Sequence, residues 1–404
     1  MKYKEALAWL YSLQRFGIKL GLENIRRLIA EMRVDLGGAR VIHVAGTNGK
    51  GSVCAMIDSI CRAQKYRTGL FISPHLVTFR ERIRIDGEMI SENEVAAGLT
   101  SIRKLVADWE PHPTFFEIAT ALALKHFIEA KIDIVILETG LGGRLDATNA
   151  VQSNVAVITP IALDHEKWLG DSLEKIANEK TGIIKAQTPV VSAPQLPEAD
   201  KAIRGRATEC EAPLEFVEQV YDKSPIALRG EHQKLNAAIA IAAIRAANVE
   251  IDEAAVTRGL ATVEWPGRFQ CWDKRTVIDG AHNPAAARIL TQTWRQIFGD
   301  ERATLILAIL SDKDLHGICE ALAPIADLVL LPNIRSERAA DPTELSKILV
   351  DLGRKAEIFS SFADAFGKAR EQRDPILITG SLHFAGEALA NLTGKPAAFE
   401  ECNQ

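Results

Sequence analysis

Short apolar runs alternate with longer amphipathic segments through most of the chain. Four of the runs have the length and composition of buried parallel strands, which are apolar on both faces. They lie at residues 68–72, 132–137, 155–158 and 190–192. The periodicity of residues 115–130 and 173–184 predicts helices, and the alanine-rich segment 235–247 predicts a third. Alternation over residues 82–90, around Asp86-Gly87, predicts a hairpin.

A second alternating series follows the first. Its predicted strands lie at residues 276–278, 304–309, 328–331 and 376–379. The segment Glu264-Trp-Pro-Gly-Arg-Phe-Gln270 lies between the two series and has the composition of a connector. Because 404 residues exceed the usual size of one domain, we predict two domains, 1–270 and 271–404. Ligands of such α/β folds gather at the carboxyl ends of the strands.

Composition narrows the class of protein. Hydrophobic residues make up 47% of the chain, charged residues 25%, and the net charge is −5, which argues against a nucleic-acid binder. The six cysteines show no Cys-x-x-Cys spacing, so free thiols in a reducing compartment are predicted. The N-terminus lacks the pattern of a signal peptide, and no segment reaches the roughly 18 apolar residues of a membrane helix. We therefore expect a cytoplasmic protein with no membrane or nucleic-acid partner.

The most informative segment is the glycine-rich turn that follows the apolar residues from Val41 onward. It comprises Gly46, Thr47, Asn48, Gly49, Lys50, Gly51 and Ser52, and a helical pattern starts at Val53. Glycines let backbone N–H groups converge on an anion, the helix N-terminus adds a positive end, and Lys50 adds a point charge. The turn therefore predicts a nucleotide-phosphate site. The fold class is α/β, with a P-loop-containing, mostly parallel sheet in the N-terminal domain and a smaller Rossmann-like C-terminal domain.

Several polar residues at predicted strand ends admit two interpretations. Glu138 ends one apolar run and either holds Mg²⁺ beside a phosphate or caps the next turn. His165, after the next run, is either a metal ligand or a polar strand-end residue. For Lys180 the sequence alone favours a solvated helix lysine. The adjacent Phe115 and Phe116 are either core residues or a surface for a flat heterocycle.

The turn departs from the strict P-loop pattern, because only two residues separate Gly46 from Gly49-Lys50 and Gly51 stands before Ser52. In this form it resembles the Mur ligase superfamily, and within it the folylpolyglutamate synthases and dihydrofolate synthases. The resemblance extends over about residues 40–385. It also rests on the following segments: Ser73-Pro-His75, Thr114-Phe-Phe-Glu117, Glu138–Asn149, Asp164-His165, Glu179-Lys180-Thr-Gly-Ile, His232–Asn236, Trp265–Arg268, Asp279–Pro284, Ser311–Leu315 and Thr379–Leu382.

The resemblance implies a role for each matching residue. Lys50, His165 and Lys180 are the implied catalytic residues. The metal ligands would be Ser73, Glu138, His165 and Lys180 as a carbamate. ATP would contact residues 46–52 together with Asn236, Arg268, Asp279 and His282. Folate or pteroate would contact Thr114, Phe115, Phe116 and Asp146. Thr181 replaces the alanine usual after the carbamylated lysine, which is a small departure.

The function implied by the resemblance is an ATP-dependent ligase. It would add L-glutamate to tetrahydrofolate and to dihydropteroate through an acyl phosphate, with ATP and two magnesium ions, and with a monovalent cation left open. The alternatives are an enzyme for one acceptor only and, from a different class, a nucleotide-hydrolysing switch. A peptidoglycan-building Mur ligase would carry an extra N-terminal domain, and only about 40 residues precede the turn. We expect a monomer whose partners are small-molecule substrates.

Overall fold

The computed structural model describes residues 1–16 and 21–400. It contains two α/β domains, each built around its own sheet. The strands of the first sheet are β1 (Arg40–Ala45), β2 (Thr68–Phe71), β3 (Ile83–Ile85), β4 (Glu88–Met89), β5 (Ile134–Glu138), β6 (Val155–Ile158), β7 (Val190–Ser192) and β8 (Leu214–Phe216). Its helices are α1 (Tyr3–Ser12), α2 (Glu23–Glu31), α3 (Lys50–Ala63), α4 (Glu92–Leu105), α5 (Phe115–Ala130), α6 (Glu166–Leu169), α7 (Leu173–Thr181), α8 (Pro197–Glu209), α9 (His232–Ala246) and α10 (Glu253–Thr262).

The first sheet has the strand order β4-β3-β2-β5-β1-β6-β7-β8 within the described residues, and only β3 and β4 run antiparallel to their neighbours. All five residues of β5 are buried, because helices cover both faces of this part of the sheet. Strands β2 to β5 lie on one side of β1, and strands β6 to β8, which come later in the chain, lie on its other side. The carboxyl ends of β1, β5 and β6 therefore form the crevice in which ligands of such sheets bind.

The second domain has the smaller sheet. Its strands are β9 (Gln270–Cys271), β10 (Thr276–Ile278), β11 (Ala303–Leu307), β12 (Ala326–Pro332), β13 (Lys355–Phe359) and β14 (Ile376–Thr379), and its helices are α11 (Pro284–Phe298), α12 (Leu315–Leu322), α13 (Pro342–Asp351), α14 (Phe362–Glu371) and α15 (Leu382–Leu392). The strand order is β13-β12-β11-β14-β10-β9, with β9 antiparallel to β10. Short 3₁₀ turns lie at Leu13–Phe16, Phe79–Arg82, Ala147–Ala150, Ala323–Ile325 and Pro396–Ala398.

The structure confirms the predicted α/β class, with mostly parallel sheets in both parts. The helix predicted at 173–184 ends earlier, at Thr181, and the residue that follows it is Gly182, a poor helix former. The alanine-rich helix begins at His232 rather than at residue 235. The boundary at 270/271 stays a prediction and falls within β9. Across the described residues, no helix is long and apolar enough to span a membrane.

Candidate active site

A cavity of about 150 Å³ lies at the carboxyl ends of β1, β5 and β6, and the second domain contributes one of its walls. The predicted site residues that line it are Gly46, Thr47, Asn48, Gly49, Lys50, Gly51, Ser52, Ser73, Glu138, His165, Lys180, Asn236, Arg268, Asp279 and His282. Outside the lining lie Thr114, Phe115, Phe116 and Asp146. Residues far apart in sequence therefore meet around the glycine-rich turn.

The turn is held against the end of β6. The backbone N–H groups of Thr47 and Asn48 donate to the carbonyl of Pro160 at 3.0 and 3.1 Å. Lys50 begins α3, and its Nζ donates to the carbonyls of Gly46 and Thr47 at 3.1 and 3.2 Å. The first N–H groups of a helix have no partner within the helix, so the start of α3 presents donors and positive charge to an anion.

Lys180 lies beside the same carbonyl. Its Nζ donates to the Gly46 carbonyl at 2.8 Å, and its side chain is buried. Burial, and next the charge of Lys50, lower the pKa of Lys180 to about 7 against the opposing charges of Asp164 and Asp146. The solvated helix lysine that the sequence alone favours is therefore wrong. The site therefore holds an amine that can lose its proton near neutral pH.

Glu138 and Ser73 bring oxygen atoms together at the other side of the turn. The Ser73 N–H donates to Glu138 Oε2 at 3.2 Å. Burial raises the pKa of Glu138, and the charges of Lys50 and Arg268 oppose that rise. The buried Ser73 Oγ has no hydrogen-bond partner within the described chain, whereas buried hydroxyls normally do. A carboxylate and a hydroxyl in this arrangement fit a hard cation such as Mg²⁺.

The carboxylates and imidazoles of the described residues form no group of three or more that could hold a metal by themselves. Magnesium sites of nucleotide enzymes commonly take one or two carboxylates and complete the coordination with substrate phosphates and water. Ser73 and Glu138 match that type of site better than a cage made of protein atoms alone.

Asp164 joins the two domains. Its Oδ1 accepts a hydrogen bond from Lys313 Nζ at 2.6 Å, and its Oδ2 accepts one from Asn283 Nδ2 at 3.2 Å. His282 Nε2 lies 3.5 Å from the same carboxylate. Burial raises the pKa of Asp164, but the hydrogen bond and charge of His282 and the charge of Lys313 outweigh it, and the pKa lies below its ordinary value. The contact between Lys313 and Asp164 was not predicted. The signal in the sequence that could have indicated it is the position of Lys313 between two aspartates, after β11.

The second domain also touches the glycine-rich turn directly. The side-chain amides of Asn48 and Asn283 exchange two hydrogen bonds, of 3.3 and 3.0 Å. In the connector, Trp265 covers the start of α3 so closely that a Cβ added to Gly51 would lie 2.7 Å from its Nε1. Only glycine permits this approach. The turn is therefore in contact with both the connector and the second domain.

His165 lies next to Asp164, 3.9 Å from its Oδ1, and lines the cavity. Burial lowers the pKa of His165 to about 3, against the charge of Asp164. The imidazole is therefore neutral at physiological pH, which is the protonation state that a metal ligand needs. Its role as a ligand stays a prediction.

Asp279 and His282 shape the loop that opens the second domain. The Asp279 carboxylate accepts hydrogen bonds from the N–H groups of Phe269 and Ala281, both at 2.8 Å, and burial raises its pKa. His282 Nδ1 lies 2.8 Å from the carbonyl of Gly280. Asp279 thus fixes the end of the connector to the start of the second domain. Their predicted contacts with nucleotide stay predictions.

The residues predicted for the pterin lie behind the cavity. Thr114 caps α5 through the N–H of Glu117, and Phe115 stacks on Tyr11 with ring centroids 5.6 Å apart. Phe115 is a buried core residue, whereas Phe116 is half-buried against the backbone of Gly140. Phe116 is therefore the aromatic ring of this pair that adjoins the cavity.

Asp146 organises the loop after β5. Its Oδ2 accepts from the N–H groups of Gly140 and Leu141 at 2.8 and 2.9 Å, and its Oδ1 accepts from the N–H and the hydroxyl of Thr148 at 3.0 and 2.5 Å. Four donors occupy the carboxylate. Asp146 therefore fixes the position of the loop, and a direct contact with a pterin stays a prediction.

Comparison with known proteins gives consistent matches. A family described as the Mur ligase middle domain matches residues 44–209, and one described as the Mur ligase glutamate ligase domain matches residues 267–382. The chain is 35% identical to the dihydrofolate synthase/folylpolyglutamate synthase of Bacillus subtilis, over 95% of this chain and 98% of that protein.

Solved structures agree. Folylpolyglutamate synthase of Mycobacterium tuberculosis complexed with ADP superposes with a TM-score of 0.89 at 32% identity, over 96% of this chain and 99% of that one. The bifunctional folylpolyglutamate synthase/dihydrofolate synthase of Yersinia pestis complexed with AMPPNP and a manganese ion has a TM-score of 0.88 at 33% identity, over 97% and 98%.

The lowered pKa of Lys180 predicts how its replacement changes stability. Between pH 7 and 10.5 the unfolded chain binds a proton on this lysine that the folded chain does not hold, so the unfolding free energy rises with pH across that range. A shift of this size destabilises the fold at pH 7 by up to about 5 kcal/mol. In bicarbonate-free buffer, Lys180→Met should raise the unfolding free energy at pH 7 by about 2–4 kcal/mol, after loss of one hydrogen bond. The gain should disappear towards pH 10.

Denaturant unfolding at several pH values measures this effect. Lys201→Met, at an exposed position of α8, is the control for the substitution itself. A Lys180→Met variant that is no more stable than wild type at pH 7 would contradict a buried amine with a lowered pKa.

Proposed function

We propose the reaction of this chain from one premise: it belongs to the Mur ligase family, among the dihydrofolate synthase/folylpolyglutamate synthases. The resemblance stated from the sequence is thereby confirmed. The chain is an ATP-dependent, amide-forming ligase that joins glutamate to a folate-type acceptor. The acceptor, the intermediate and the roles of individual residues are the parts that we propose.

The proposed acceptors are tetrahydrofolate, which gives polyglutamates, and dihydropteroate, which gives dihydrofolate. A carboxylate is a poor acylating agent, so it first attacks the γ-phosphorus of ATP, and ADP leaves. The amine of glutamate then attacks the carbonyl carbon of the acyl phosphate. The tetrahedral intermediate expels phosphate, and the amine proton passes to solvent or a nearby base. The sum is one amide, one ADP and one phosphate.

The single observation that carries this proposal is the meeting of the glycine-rich turn, Glu138 and Lys180 at one edge of the sheet, under the second domain. We assign charge neutralisation on the transferring phosphoryl group to Lys50, the N–H groups of α3 and Arg268. Asn236, Asp279 and His282 would hold the nucleotide. The acceptor would lie towards Phe116, beyond the loop after β5, so that its carboxylate reaches the γ-phosphate.

Ser73 and Glu138 would hold one magnesium ion, and His165 with a carbamylated Lys180 would hold a second. Bound magnesium supplies positive charge that offsets the charge developing on the phosphate oxygens. A carbamate forms when a neutral amine attacks carbon dioxide, and the pKa of about 7 makes the Lys180 amine available for that step. The nitrogen forms a bond to the carbon of carbon dioxide and loses one proton to solvent, and the product is an anion that the positive charge of Lys50 would attract.

Closure of the domains would protect the acyl phosphate. Asp164, Lys313 and Asn283 are buried where the two domains meet, and Asn48 joins the turn to the same contact. A closed site excludes water, which would otherwise hydrolyse the acyl phosphate before glutamate attacks.

Incorporation of labelled glutamate, measured separately with dihydropteroate and with tetrahydrofolate, tests the proposal. We expect ATP-dependent product with both acceptors and ADP formation that requires both acceptor and glutamate. Product with one acceptor only would make the enzyme monofunctional. ADP formation without either substrate would contradict ligation and favour a nucleotide-hydrolysing switch.

Lys50→Ala should lower turnover at least about 10³-fold without unfolding the protein, and Lys201→Ala is the matched control.

Labelled bicarbonate tests the carbamate. With ¹³C-bicarbonate, the wild-type protein should show a carbamate carbon signal by NMR that Lys180→Met lacks. An equal signal in both proteins would place the label elsewhere, and no signal in either, at saturating bicarbonate, would contradict the carbamate.

A further inference from the structure

The last described residues of the chain return from the second domain to the first. Phe399 packs on α15, where its ring meets His383 edge-on with centroids 5.0 Å apart. The next residue, Glu400, reaches the loop that follows β2. Two consecutive residues therefore contact different domains. We call Phe399 and Glu400 the C-terminal staple.

Glu400 is bound to the first domain through both its side chain and its backbone. Its carboxylate accepts hydrogen bonds from the Phe79 N–H at 2.6 Å, from Thr78 Oγ1 at 3.0 Å and from the Tyr3 hydroxyl at 3.1 Å. Its own N–H donates to the Val77 carbonyl at 2.8 Å. Charged hydrogen bonds of this kind are stronger than neutral ones. The Glu400 carboxylate therefore joins α1 to the loop that follows β2 and to the 3₁₀ turn Phe79–Arg82.

His75 extends this contact towards the active site. Its Nε2 lies 2.8 Å from the Glu400 carbonyl, and its Nδ1 lies 2.8 Å from Arg82 Nε. Arginine can only donate, so Nδ1 must be the acceptor, and Nε2 carries the proton that is donated to Glu400. The buried imidazole is therefore neutral and held in one tautomer between Arg82 and the Glu400 carbonyl.

Leu76, the next residue, is inserted into the second domain. It is buried among Phe384, Ala385 and their neighbours, which belong to the core of that domain. A Cβ on Gly386 of α15 would lie 1.9 Å from the Leu76 carbonyl oxygen, so only glycine allows the loop to approach the helix. The loop is thus held by the first domain, by α15 and by the staple.

Ser73 begins the same loop, two residues before His75, and its N–H donates to Glu138. The buried Ser73 Oγ, without a hydrogen-bond partner in the described chain, fits a metal ligand. Groups that orient metal ligands from behind affect metal affinity about 10–100-fold. The position of the loop therefore sets where the Ser73 oxygen lies relative to Glu138.

We propose that the C-terminal staple is a positioning element for the metal site: Glu400, through His75 and the 77–79 backbone, holds Ser73 beside Glu138 when the second domain is closed. This inference rests on the proposed function, because it takes Ser73 and Glu138 as the ligands. It assigns a role to residues 399 and 400, where the sequence shows no motif. Neither Phe399 nor Glu400 touches the reacting atoms.

Binding of Mn²⁺ to the full-length protein tests the proposal without relying on turnover. Free Mn²⁺ is measured by electron paramagnetic resonance in the presence of a non-hydrolysable ATP analogue. Glu400→Ala should weaken Mn²⁺ binding at least about tenfold while affinity for the analogue without metal stays unchanged. Phe399→Ala should act in the same direction, because it releases the staple from α15. Glu344→Ala, an exposed glutamate on α13, should bind Mn²⁺ as wild type does.

Tyr3→Phe separates positioning from general stability. It removes one of the hydrogen bonds to Glu400 and should weaken Mn²⁺ binding about two- to threefold in the wild-type background, but not in Glu400→Ala. If Glu400→Ala does not fold, Phe399→Ala and Tyr3→Phe decide the matter alone. Folded variants that bind Mn²⁺ within twofold of wild type would overturn the proposal.

The same titration separates this inference from the proposed function. Wild-type protein that binds Mn²⁺ with the analogue but does not ligate glutamate would contradict the proposed function. In that case the Mn²⁺ affinities of the variants would still support or overturn the role of the C-terminal staple. Wild-type protein that shows no analogue-dependent Mn²⁺ binding would contradict both.

Discussion

Two lysines share one backbone carbonyl at the centre of this protein, and the chemistry of the site depends on that arrangement. Lys50 and Lys180 both donate to the carbonyl of Gly46, and among the described residues no carboxylate accepts a hydrogen bond from either lysine. Burial of Lys180, and next the positive charge of the partly buried Lys50, lower the pKa of Lys180. In the proposed reaction Lys50 would neutralise charge on a phosphate, and Lys180 would supply the amine that forms the carbamate. The two lysines would then have different roles although they contact the same carbonyl.

The site also depends on the contact between the two domains. The glycine-rich turn lies on the first domain, but Asn48 bonds to Asn283, and Asp164 pairs with Lys313 across the gap. Removing one partner of a buried ion pair leaves the other charge unpaired, which costs about 3–5 kcal/mol. The contact between the two domains is therefore held by specific polar contacts as well as by the insertion of Leu76 into the core of the second domain. The proposed ligase chemistry needs this closure, since an acyl phosphate must be kept from water.

Sequence patterns predicted the central strands well, because buried parallel strands are apolar on both faces and short. Edge strands such as β13, whose residues are mostly exposed, lack that pattern and were not predicted. The motif segments located most of the cavity lining, and several of them, including Gly46–Ser52, Glu138 and His165, lie at the carboxyl ends of strands that face the same crevice. The burial of Lys180, the pairing of Asp164 with Lys313 and the docking of Glu400 could not be predicted. Each depends on residues more than 100 positions apart, with side chains that are usually exposed.

The central claim is that glutamate is joined through an acyl phosphate formed in this closed site. An acceptor labelled with oxygen-18 in its carboxylate tests it most directly, because the acyl phosphate mechanism transfers one carboxylate oxygen to the departing phosphate. Mass analysis of the phosphate should find one oxygen-18 atom for each amide formed, in amounts that rise with glutamate consumed. Unlabelled phosphate accompanying labelled amide would contradict the mechanism and the role assigned to the site.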